Sequence, residues 1–293
     1  MPRPSVLSPT EAVAAIAPGS TVAFGGALNV GHPMALVRAL LAAAPGELTI
    51  AAGFGGLDVD IAVAAGAARR LVVAFVGAEG FASLPPGIRW ATERGDLETW
   101  DVDEGILFAA LKARAQYLPY STWHAGLGTS LAESPLVETA TDPRTGAGYL
   151  KVDPLPIDTA LLWAEAADRE GNVLRWGPDF GDEHFANAAE TRIVQVERLV
   201  DTDVLGRHPD RVGAWQADVI VPAPLGTYPF GSNLLRDDVE WLESYAARLD
   251  AARREGGELA AARGIVAELL VLDGGDDAFL ESAGVPRLRE LLG

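Results

Sequence analysis

Thr21-Val22-Ala23-Phe24-Gly25-Gly26 opens on four residues of a buried strand and runs straight into a glycine pair. A loop from Ala27 to His32 follows. Pro33 then sets the first turn of a helix reaching about Ala43, where the missing proline N–H costs nothing. The same order returns twice downstream. Glu47 to Ala52 reads as a strand ending in Gly53, Gly55 and Gly56 before a short helix, and Leu71 to Val76 as a strand ending at Gly77. Strands alternating with helices predict the α/β class, with an open, largely parallel sheet and helices on both faces. Ligands of such sheets gather beyond the carboxyl ends of the strands, where all three glycine clusters fall. Each cluster reads either as a tight strand-to-helix turn or as backbone left bare for a ligand.

The rest of the chain extends this pattern. Ser8-Pro9-Thr10-Glu11 has the spacing of a capping box, with Val13, Ile16 and Ala17 at helical intervals after it. Leu97 to Val102 is a further strand and Asp103 to Tyr117 a strong helix. Residues 126–156, rich in Gly, Pro, Ser and Thr, read as an insertion or a join between subdomains. Strands follow at Thr159 to Ala164, Arg192 to Val196 and Asp218 to Val221. Between them lie a turn at Gly171-Asn172 and a helix near Glu183 to Glu190. Pro222 to Gly231 is a Pro/Gly loop, and 237–293 a charged, helical C-terminal tail. The whole of 1–293 is expected to form a single domain.

Composition removes many functions. With 23 Lys and Arg against 41 Asp and Glu, the net charge is −18. Such a chain repels phosphate backbones and anionic headgroups, so neither nucleic acid nor membrane is an expected partner. The absence of Cys excludes disulfides, thiolate zinc sites, iron–sulfur clusters and thiol nucleophiles. Met1-Pro2-Arg3-Pro4-Ser5 leads into no apolar signal core, and no run of about 18 apolar residues occurs. The expected location is the cytoplasm.

Several catalytic motifs fail on inspection. Lys occurs only at Lys112 and Lys151, so no Walker triplet exists. Gly53-Phe54-Gly55-Gly56-Leu57-Asp58 carries Asp58 where a dinucleotide fingerprint needs its third glycine. His32, His124, His184 and His208 lack metal-ligand spacing. Asp182-Glu183-His184 reads as a solvated helix start, so no metal is expected. Gly126-Leu127-Gly128-Thr129-Ser130 does not supply a nucleophile elbow. One carboxylate remains prominent: Glu104, in Trp100-Asp101-Val102-Asp103-Glu104-Gly105, at a strand-to-helix junction. It reads either as the far end of a capping box begun by Asp101, or as a base or nucleophile at the mouth of the sheet. Glu79, in Gly77-Ala78-Glu79-Gly80, is a second candidate.

Taken together, Val22-Ala23-Phe24-Gly25-Gly26 with Pro33 and Leu36, Glu47-Leu48-Thr49-Ile50, and Ala167-Asp168-Arg169-Glu170-Gly171-Asn172-Val173 resemble family I coenzyme A-transferase α chains. Ala188-Ala189 and Ile193-Val194-Gln195-Val196-Glu197 continue the likeness. Ala217-Asp218-Val219-Ile220-Val221 and Ala223-Pro224-Leu225-Gly226-Thr227-Tyr228-Pro229 are similar to the glutaconate CoA-transferase A chain in particular. The resemblance implies transfer of CoA from an acyl-CoA to a small or dicarboxylic acid through a glutamyl thioester. CoA thioester would be the substrate, with no permanently bound cofactor. In that family the nucleophilic glutamate lies on the β chain, in a motif like Glu-x-Gly-x-x-Gly. Glu79-Gly80 and Glu104-Gly105 lack the later glycines. Half an enzyme is therefore implied: the α subunit of an α2β2 assembly, its site between unlike chains.

The same resemblance assigns the cleft. Substrate-binding positions are Gly25, Gly26, Asn29 and His32 in the first loop, Gly53, Gly55 and Gly56 in the second, and Gly77 and Glu79 in the third. His32 would make a polar contact with a substrate carboxylate. Glu104 would orient substrate or water. Glutaconate-type A chains commonly carry Gln there, and Glu instead resembles the A chain of steroid-ring-opening CoA hydrolases, in which it would be the catalytic base. Those hydrolases have an Arg-rich segment where this chain has Asn29-Val30-Gly31-His32. Transferase is the first expectation, hydrolase the second, and a non-catalytic member of an assembly the third.

Overall fold

Thirteen strands, the first six separated by helices, are present in a computed structural model that describes residues 3–176 and 180–292. Met1, Pro2 and Gly293, at the ends of the expected domain and tail, lie outside the described residues. In chain order the strands are β1 (Ser5–Val6), β2 (Thr21–Phe24), β3 (Leu48–Gly55), β4 (Ala68–Val76), β5 (Glu98–Asp101), β6 (Ser121–Trp123), β7 (Val137–Thr141), β8 (Gly148–Val152), β9 (Ile157–Ala167), β10 (Asn172–Leu174), β11 (Ala189–Leu199), β12 (Val212–Gln216) and β13 (Val219–Pro222). The main sheet runs β1-β13-β11-β9-β2-β3-β4-β5, and each adjacent pair in that order is parallel. Antiparallel β10 and β12 hang from β9 at its flank.

The alternation of side chains explains why helices cover both faces. Val22, Phe24, Ile50, Ala52 and Leu71 enter one core with the helices Met34–Ala43 and Leu57–Ala64. Their neighbours Ala23, Ala51 and Val72 enter the other, with Ile106 and Leu107 of helix Glu104–Ala115 and Phe185 of helix Asp182–Ala188. Residues two apart in a strand share a face, and a parallel sheet covered on both sides needs apolar residues on each.

The expected α/β architecture is present; two helix boundaries differ, and two expected segments gain detail. Pro33 is the N-cap rather than a helical residue, so that helix starts at Met34. The helix expected to reach Glu190 stops at Ala188, because Ala189 already has an extended backbone and begins β11. The Gly/Pro-rich stretch 126–156 contributes to an antiparallel sheet ordered β6-β8-β7, which sends Leu150 and Val152 into the second core. The C-terminal tail is helical, as expected (Val239–Arg254, Leu259–Leu269, Gly275–Ala283 and Val285–Leu291), and it packs into the molecule. Leu242, Tyr245, Leu249, Val266 and Phe279 are buried in the first core.

Asp60 shows how tightly that tail is tied in. Its fully buried carboxylate accepts the Gly87 and Ile88 N–H groups at the start of helix Pro86–Arg94, which has no side-chain cap of its own. It also accepts the Tyr245 hydroxyl at 2.8 Å. Burial pushes its pKa up to about 6, against the pull of these donors.

Candidate active site

The glycine loops meet at the carboxyl edge of the sheet and are bonded to one another. Leu28 N–H of the first donates to Phe54 O beside the second at 2.9 Å, and Gly77 N–H of the third donates to Gly55 O at 3.0 Å. Protein, however, fills the space that their missing side chains leave. A Cβ on Gly26 would meet Gly31 O, on Gly53 the Phe180 O, on Gly55 the Val59 side chain, and on Gly56 the Leu28 carbonyl. Gly25 is likewise closed off by Leu162 and Asp182, and Gly77 by the Phe75 ring. These glycines let loop pack on loop.

His32 is not a loop-facing group. It is 1% exposed, its Nδ1 lies 2.8 Å from Asp58 Oδ2 in an ion pair, and its Nε2 lies 2.9 Å from Leu28 O. Direct contact with a substrate carboxylate is therefore closed to it in this structure. Burial works against the charged ring, but Asp58, the Leu28 carbonyl and the more distant Asp182 outweigh it, so the His32 pKa lies above the ordinary imidazole value. Asp58, the residue that spoils the dinucleotide fingerprint, also accepts Gly56 N–H at 2.9 Å. Asn29 is half-buried and accepts Gly231 N–H through its carbonyl.

Glu104 stands where strand gives way to helix, as its position in the sequence predicts, but the capping box does not form. Asp103 is the N-cap, its Oδ1 accepting Ile106 N–H at 2.7 Å, while Asp101 ends β5 and caps nothing. Glu104 is thus the first helical residue and its carboxylate is left for other uses. It lines a cleft of about 490 Å³ with Phe54, Phe108, Phe180, Gly181, Glu183 and His184. Phe54 and Phe180 meet edge to face at 5.6 Å, and Phe108 lies 4.7 Å from the His184 ring. Gly181, at φ 114°, leaves room for Phe108. Glu79 is exposed on the third loop and does not line this cleft.

The expected solvated helix start at Asp182 is half right. Glu183 and His184 are exposed, but Asp182 is buried, accepts Gly26 N–H at 3.0 Å and pairs with Arg175 at 2.8 Å. It fastens the helix bearing Glu183 and His184 to the first glycine loop. Sequence reasoning missed this group because it weighed the triplet as metal ligands or as a solvated helix start and not as part of a cleft; among the described residues no cluster fit for a metal occurs. Gly181, a helix-starting glycine beside Phe180, was the available signal. The side chains of Glu104, Glu183 and His184 have neither a hydrogen bond nor an ion pair among the described residues. Unpartnered polar groups converging on an aromatic-walled cleft are what a binding site requires. A recess of about 600 Å³ on the opposite helical layer, between Arg38, Pro222 and Asp276, is lined by none of the expected site residues.

Comparison with known proteins agrees with this architecture. The family profile described as Coenzyme A transferase matches residues 6–213. The IpdA subunit of the cholesterol ring-cleaving hydrolase of Mycobacterium tuberculosis is 33% identical over 230 residues, 74% of this chain and 78% of that protein. The A chain of glutaconate CoA-transferase of Acidaminococcus fermentans is 25% identical over 72% of each chain. The crystal structure of the enzyme from that organism superposes with a TM-score of 0.89, covering 99% of this chain and 96% of that one, at 22% identity. The decarboxylase AibA/AibB gives 0.79 at 30% identity, over 92% of this chain and 100% of that one. Among the described residues no helix is long and apolar enough to cross a membrane. Over most of its length, and in the order of its strands and glycine loops, the chain belongs to the coenzyme A transferase family.

Proposed function

We propose that this chain is the α subunit of a heteromeric cytoplasmic enzyme, with an α2β2 arrangement, that moves CoA from an acyl-CoA to a carboxylic acid. The observation that carries this reading is the cleft at Glu104: among the described residues its lining holds carboxylates, an imidazole and aromatic rings, but no Lys or Arg. The phosphates of CoA need cationic or N–H-rich partners, so the nucleotide end belongs against another polypeptide. The reaction follows the same division. A glutamate of the β chain attacks the thioester carbonyl, expelling CoA thiolate and forming a mixed anhydride. The thiolate then attacks the glutamyl carbonyl, freeing the first acid and leaving CoA on the enzyme as a thioester. The acceptor acid reverses these steps. Glu104 orients substrate at the aromatic wall, and the three glycine loops hold that wall in place.

A second reading is ring-opening hydrolysis of a CoA thioester with Glu104 as base. It is favoured by the lack of a partner for that carboxylate among the described residues and by the likeness to the IpdA subunit. Co-expression with the product of the adjacent gene separates the two. The expected result is acyl exchange between acetyl-, succinyl- or glutaryl-CoA and free acids, with loss of activity on borohydride trapping of the thioester. Glu104→Gln is expected to lower transfer by about 10-fold, whereas a general base removed from a hydrolase costs about 10²–10⁴-fold. Equal activity of the isolated chain and the complex would sink the idea of a shared site.

A further inference from the structure

His184 has no role in the chemistry above, yet it lines the same cleft as Glu104 and is held there by two contacts, one of its ring and one of its helix. Its ring lies 4.7 Å from that of Phe108, which follows Glu104 by one helical turn and so shares its face. Asp182, two residues earlier, is buried against Gly26 and Arg175 and anchors the short helix from which His184 projects. The imidazole itself makes no hydrogen bond among the described residues. Of the described side chains lining the cleft, carboxylates accept only and phenylalanines do neither, so among them His184 alone has an N–H to give.

We propose that His184 is a catalytic residue that donates a hydrogen bond to the carbonyl oxygen of the acyl group under attack. The assignment rests on the thioester reading above and extends it to this chain's own contribution to the chemistry. As the nucleophile adds to the carbonyl carbon, the π pair of the C=O bond moves onto oxygen. Glu104 and Glu183 would oppose that charge, and the His184 N–H stabilises it. When the carbonyl re-forms, the pair returns and the leaving group departs with its own; the imidazole keeps its proton throughout. A donor aimed at developing charge acts on the transition state more than on bound substrate.

The test uses the complex with its partner chain. His184→Ala should lower kcat by about 10²-fold, the cost of one oxyanion donor, with KM changed less than about threefold. An amide N–H restored by His184→Gln or His184→Asn should recover at least about tenfold of that loss, which a merely structural role would not produce. Because the ring is exposed, thermal melting should show all three variants folded. The proposal is overturned if His184→Ala keeps kcat within about twofold while Glu104→Gln is impaired, an outcome that leaves the thioester reading standing. It is overturned equally if both amides are as slow as alanine. A complex that turns over no CoA thioester overturns the proposal and the reading together.

Discussion

The buried pair of His32 and Asp58 ties two loops together from within. Its partners are spread along the chain: the imidazole holds Leu28 O and Asp58, and the carboxylate holds Gly56 N–H. Breaking a buried ion pair by removing one member leaves the other uncompensated, at a cost of about 3–5 kcal/mol. The His32 pKa is raised in the folded state. Its contribution is therefore fully present below the ordinary imidazole pKa of about 6.5 and is lost as pH climbs through the raised folded value. Urea unfolding of Asp58→Asn beside the parent should show a larger loss of stability at pH 6 than at pH 9; equal losses would count against the charged pair. None of this was legible in the sequence, where His32 and Asp58 belong to separate loops and each looks like a defect in some other motif. Glu104 was legible, because a carboxylate between a short strand and a strong helix stands at the sheet's mouth whichever neighbour caps the helix. Asp101 and Asp103 compete for that cap within three residues. Only the bond from Ile106 N–H decides between them.

Elements obey the same logic on a larger scale. Strand and helix order could be read from hydrophobic runs punctuated by glycine, since β2, β3 and the middle of β9 are almost wholly apolar. The small sheet β6-β8-β7 could not, because its exposed strands Ser121–Trp123 and Val137–Thr141 carry mixed polarity amid turn-forming residues. Glycines also divide by what surrounds them. At Gly56 a Cβ would overlap the Leu28 carbonyl, and backbone cannot swing aside as a side chain can. Gly264 lies within helix Leu259–Leu269 with open space around it. Gly56→Ala should therefore destabilise by about 1–3 kcal/mol and impair the complex. Gly264→Ala should stabilise by roughly 0.5–1 kcal/mol. Thermal melts of the two variants test the pair; a neutral Gly56→Ala would mean that the loops tolerate separation.

For the whole molecule, we take the described residues as one folding unit, because the tail completes the core begun by the first helices. Tyr245, Leu249, Val266 and Phe279 are essentially inaccessible to solvent. Truncation after Arg236 would strip away this cover, and each large side chain so exposed forfeits about 1.5–3 kcal/mol. The expected result is an insoluble product, while the full chain unfolds in a single calorimetric transition. A soluble, folded fragment or two resolved transitions would divide the unit. The sequence marked this tail as helical but held no sign of its docking, since amphipathic periodicity shows that a face is apolar and not what it meets. The bonds that run from Leu28 to Phe54 and from Gly77 to Gly55 carry a lesson for anyone recasting the enzyme. A graft of residues 25–33 alone from a paralogue would arrive with donors and acceptors out of step with its hosts. Acyl preference should consequently travel between chimaeras as a three-part cassette or not at all.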